Sequence, residues 1–75
     1  MHIRNNKYAK KLAGRITARM DELGLSISEL SERSGIARAN IFYYCRGDVI
    51  PKADIVVKLA HGLNMTTDEL INFQA

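Results

Sequence analysis

Residues 26–47, SISELSERSGIARANIFYYCRG, decide how the chain is read. Ser26 and Glu29 stand at the spacing of a capping box, in which a hydroxyl accepts the amide three residues on and a carboxylate returns to the cap amide. Ile27 and Leu30 follow as the inward positions of the helix so opened. Gly35 ends it, because a residue without Cβ enters the left-handed conformation at no steric cost. Ile36 starts the next segment, a helix predicted over 37–46, and Gly47 closes that in turn. Two helices joined by a glycine-marked turn of three to four residues form the unit that lays its second helix in the DNA major groove.

Outward from this unit the pattern stays helical. Leu12, Ala13, Ile16, Met20 and Leu23 recur at three-and-four spacing, predicting a helix over 6–23 that Gly24 ends, with Leu25 packing at the connection. Pro51 makes 47–51 a loop, since it lacks an amide donor and disfavours helical geometry in the residue before it. A fourth helix is predicted over 52–63 from Ile55, Val56, Leu59, Ala60 and Leu63. Asn64 is its terminator and Gly62 a point of close packing. Thr66 with Glu69 repeats the capping box and opens a short fifth helix carrying Leu70 and Ile71. The expected fold is all-α, a five-helix bundle forming one domain over residues 1–75. Residues 1–5 read either as a mobile basic arm, the favoured reading, or as the ordered start of the first helix.

With 75 residues, 47% hydrophobic and 25% charged, the chain has the composition of one small globular domain. No apolar run approaches the roughly 18 residues of a membrane span, and the early basic residues are not followed by a signal-like segment. A cytoplasmic protein without membrane contact is expected. The single cysteine, Cys45, cannot make an intrachain disulfide and lacks spaced partners for zinc. No catalytic constellation surrounds His2 or His61, so no enzyme, cofactor, metal or small-molecule substrate is expected. The net charge of +3 is unevenly spread, since Arg4, Lys7, Lys10, Lys11, Arg15 and Arg19 all precede the first acid, Asp21. That asymmetry suits either a polyanion partner or a solvated face.

From Gly24 onward the chain resembles the helix-turn-helix domain of phage Cro and repressor proteins and their bacterial XRE-like relatives. Leu30, Ser31, Gly35, Ile41, Gly47, Pro51, Leu59, Ala60, Leu63, Asp68, Glu69 and Leu70 carry the resemblance in register. It implies that 37–46 is the recognition helix, with base-contacting positions at Arg38, Ala39, Phe42 and Tyr43. Helical geometry puts Ile41 and Tyr44 on the other side, together with Ala37, as core. Arg38 can pair with guanine O6 and N7, and its rival role is a phosphate contact. Ala39 suits a thymine methyl or simply allows close approach. Phe42 and Tyr43 address thymine methyls, sugars or phosphates, or else belong to the core or a protein contact.

Phosphate anchoring is expected from Ser26 and Ile27 at a helix amino terminus, from Asn40, Arg46 and Lys52, and from Lys10. Asp48 opposes the two loop cations. The resemblance departs at three places: Ile27 stands where a glutamine is common, Ala37 where a hydroxyl cap is common, and Cys45 with Met20 where an ion pair is common. The last reads as an ion pair replaced by a packed pair. Ile71 and Phe73 either make a dimer contact or fold back onto the core. Taken together, a repressor of phage or prophage type is expected, acting in a bacterial or phage-infected cell. It would bind a double-stranded DNA operator as a homodimer. The rival reading is an antitoxin or adaptor that uses the same fold to hold a protein.

Overall fold

In the computed structural model, residues 6–72 are described, and they form five α-helices. These are α1 Asn6–Leu23, α2 Ile27–Ser34, α3 Arg38–Arg46, α4 Ala53–Gly62 and α5 Thr67–Ile71. The expected arm at 1–5 and the expected dimer residue Phe73 lie outside the described residues. The predicted ends of α3 and α4 each run at most one residue too far, because Ala37, Lys52 and Leu63 are flanking cap positions.

Local chemistry sets the helix boundaries. The Ser26 hydroxyl accepts the Glu29 amide at 3.1 Å while Glu29 Oε1 accepts the Ser26 amide at 2.8 Å. Thr66 and Glu69 repeat both bonds at the start of α5. Left-handed residues stop four segments, at Gly24, Gly35, Gly47 and Asn64. Ser31 and Ser34 stitch the turn after α2: the Ser31 hydroxyl donates to the Ile36 carbonyl at 2.6 Å, and the buried Ser34 hydroxyl donates to the Leu30 carbonyl and accepts the Ile36 amide.

The core draws on every helix. Leu12, Ile16, Leu30, Ile41, Leu59, Leu63 and Leu70 are the largest side chains fully out of water, each worth about 1.5–3 kcal/mol in transfer free energy. α1 packs on α3 and α5, α2 on α3 and α4, and α4 on α5. Gly62 permits the α2–α4 approach, since a Cβ there would stand 2.8 Å from Leu30 Cδ1 and 3.0 Å from Ser34 Cβ. Leu23, expected in the core stripe, is only half-buried near the end of α1.

Two arginines hold the far end of α4, where helical carbonyls lack partners and the helix dipole favours cations. Arg33 Nε reaches the Gly62 carbonyl at 2.8 Å, and Arg19 reaches the Leu63 and Asn64 carbonyls at 2.9 and 3.0 Å. Arg19, part of the basic amino-terminal segment, therefore serves the bundle.

Candidate nucleic-acid interface

One face of α3 belongs to the core and the other to solvent. Ile41 is fully buried, and Tyr44 and Cys45 pack against the same cluster. Cys45 Sγ lies 3.8 Å from Met20 Sδ, the packed pair expected from sequence. Burial pushes the Cys45 thiol above its ordinary pKa, so it stays protonated and a poor nucleophile. Burial, and then Asp54, likewise raise the Tyr44 phenol. Arg38, Ala39, Asn40, Phe42, Tyr43 and Arg46 are exposed. Phe42 and Tyr43 retain 46% and 47% of their surface, which places both outside the core.

Ala37 departs from expectation. Helical periodicity puts it on the core side, yet it is exposed, because its ψ of 141° places it before the first helical turn where that periodicity no longer applies. Its methyl cannot cap the helix. The amides of Asn40 and Ile41 both use the Ala37 carbonyl, and those of Arg38 and Ala39 have no acceptor among the described residues. At the start of α2 the Ser26 amide is taken by Glu29, which leaves Ile27 and Ser28 as the open amides. The Arg38 side chain reaches back across the turn to the start of α2, where Nη1 makes a long 3.4 Å contact with Ser28 Oγ. Two unsatisfied amides at each helix start suit anionic groups.

The carboxyl end of α3 is built differently. Gly47, at φ 76°, sends its amide back to the Tyr43 and Tyr44 carbonyls, and Asp48 adds a 3.2 Å bond to Tyr43. Lys10 Nζ donates to the Arg46 carbonyl at 2.9 Å, capping the helix from α1. Lys10 thus sits at the opposite end of α3 from Arg38. Arg46 Cζ lies 5.5 Å from the Phe42 ring centroid, and Phe42 meets Tyr43 edge-on at 5.6 Å. Arg46 Nε is 3.0 Å from Asp48 Oδ2, the opposition anticipated from sequence.

Beyond the loop, Lys52 is exposed at the cap position of α4. Between α3 and this loop runs an open groove of about 510 Å³ lined by Asn40, Tyr43, Val49, Ile50, Lys52 and Asp54, among others. Val49 and Ile50 are each 44% exposed. Their exposure was not anticipated, although their place in a loop beside Pro51 was the available sign. Ile71 ends α5 and is exposed, away from the α3 surface in sequence. The structure thus gathers Arg38, Ala39, Phe42 and Tyr43 on one helical face and sets Ser26 and Ile27 beside its start. Lys10 and Ile71 it leaves elsewhere.

Among the described residues no helix is long and apolar enough to cross a membrane. A family model described as helix-turn-helix matches residues 16–70, which include all of α2, α3 and α4. Comparison with curated proteins and with solved structures returned no significant match.

Proposed function

The chain belongs to the helix-turn-helix family of the Cro and XRE type, whose members are DNA-binding transcriptional regulators, and from that membership we propose that it is an operator-binding repressor of phage or prophage type. One observation carries the reading. α3 exposes Arg38, Ala39, Phe42 and Tyr43 while Ile41, Tyr44 and Cys45 tie its other face to the core, so a rigid helix presents four side chains of mixed chemistry to a groove. Arg38 reads guanine, Ala39 and Phe42 meet thymine methyls, and the Tyr43 hydroxyl bonds a base edge or phosphate. The amides of Ile27 and Ser28, with Asn40 and Lys52, hold phosphates and set register.

In this reading two copies meet through Ile71 and Phe73 about a two-fold axis, offering recognition helices to half-sites about 34 Å apart in the cytoplasm of a bacterial or infected cell. Selection of bound duplexes from a randomised DNA pool at physiological salt tests it. Enrichment of a two-fold repeated motif supports a dimeric operator-binding protein, a single unrepeated motif removes the dimer, and retention without enrichment overturns sequence-specific regulation.

The Tyr43–Val49–Ile50 groove favours a second reading, an antitoxin or adaptor that docks a protein there. Salt separates the two. Duplex binding weakens by about 0.9 log unit per log unit of salt for each phosphate neutralised, whereas an apolar protein contact responds weakly.

A further inference from the structure

Arg46 was expected to hold a phosphate, but its guanidinium already has two partners, the Asp48 carboxylate at 3.0 Å and the Phe42 ring at 5.5 Å. The backbone brings the two residues together. Gly47 is in the left-handed conformation and pressed against Lys10, and the Asp48 amide is bonded to the Tyr43 carbonyl. The turn thus sets Asp48 beside Arg46, where its carboxylate takes a guanidinium N–H that a phosphate oxygen could otherwise accept. Arg46 is in turn kept over Phe42, and Phe42 edge-on to Tyr43.

We propose that Asp48 is a positioning residue for operator recognition, an internal rival to DNA phosphate for Arg46 that raises discrimination at the expense of raw affinity. The proposal rests on the DNA-binding reading above. A phosphate contact strengthens binding to every duplex alike, whereas an ordered Phe42 ring rewards only a sequence with apolar groups in the right place. Holding Arg46 over Phe42 withholds the first and supports the second. Both members of the pair are partly exposed, and such pairs are weak, so Asp48 tunes binding without blocking it.

The test compares wild type, D48N, R46Q and the double variant of the full 75-residue chain, on a selected duplex and a scrambled one across a salt series. All three variants change exposed side chains, and thermal unfolding verifies that they fold. D48N is expected to tighten scrambled-duplex binding about three- to tenfold at low salt and selected-duplex binding by less. Its salt slope should steepen by about 0.9. Both effects should vanish in the R46Q background. An unchanged slope, equal tightening on both duplexes, or an effect that survives R46Q would each overturn the proposal. A wild-type chain that prefers no sequence would instead overturn the operator reading, and the scrambled-duplex slopes would still decide whether Asp48 competes for Arg46.

Discussion

The two helices of the central motif are nearly equal in length and both end on a left-handed glycine, yet they begin in opposite ways. α2 starts with a complete capping box and needs no neighbour to define its first turn. α3 starts at an alanine that caps nothing and is held from outside, by Ile41 in the core, by Lys10 on its last carbonyl and by Gly47 against α1. The helix that supports is secured by its own cap and the helix that reads by its surroundings, while both keep two amino-terminal amides open. A side-chain cap defines the first of these helix starts, and tertiary packing defines the second.

The severest way to break this contrast is at the two glycines. G47A forces an alanine into φ 76° with its Cβ 2.8 Å from Lys10 Cδ, whereas G35A meets the same backbone strain in open space. Chemical denaturation should show a loss of about 3 kcal/mol for the first, combining strain and overpacking, and about 1 kcal/mol for the second. Equal losses would mean that α3 does not depend on its contact with α1.

Binding sharpens the contrast next. R38A should lose about 2 kcal/mol on the selected duplex and relax preference at one base position. K52A should weaken all duplexes about equally and reduce the salt slope by about 0.9. Indistinguishable effects in a titration would dissolve the division between reading and anchoring.

Caps come third. S26A should destabilise by about 1 kcal/mol, and A37S, which offers α3 the hydroxyl it lacks, should stabilise by up to about the same amount. If thermal unfolding moved in the same direction for both, the two helix starts would not differ as described.

Acid provides the smallest effect. The Ser26 amide, followed by the Ser26 hydroxyl and Arg33, lowers the Glu29 pKa in the folded chain. A carboxylate so shifted contributes stability above its unfolded pKa and loses it as the pH falls through the folded value. E29Q preserves the box geometry without the charge, so its stability should decline less on the acid side than that of wild type. A parallel acid limb in both proteins would remove the ionic part of the cap.

What could be read from sequence was what is local. Ser26 with Glu29, Thr66 with Glu69, and the terminators Gly35, Gly47 and Asn64 act on neighbours within a few residues, so spacing alone exposes them. Ile41, Leu59 and Leu63 follow from periodicity. The errors arose where periodicity stops, as at Ala37, or frays, as at Leu23. Contacts between distant segments were invisible: Arg19 read as part of a basic segment, Lys10 as a phosphate contact and Arg33 as nothing in particular, whereas Arg19 and Arg33 bond the end of α4 and Lys10 the end of α3. Within the candidate site the exposed face of α3 was legible from the helix period, while the grip of Asp48 on Arg46 appeared only as an opposition of charge. The turn at Gly47 was legible, but the side-chain rotamers that join Asp48 to Arg46 were not.

The arginine bonds at the end of α4 also bear on how the chain is made. Arg19 and Arg33 are added to the chain well before the carbonyls they hold, at positions 62–64. Leu59, Leu63 and Leu70 complete the core equally late. The reading helix is therefore made ahead of the elements that finish its scaffold, and docking waits for the last quarter of the chain. A chain ending near residue 50 would carry all of α3 and none of the closing core, so the address is written before there is a body to present it.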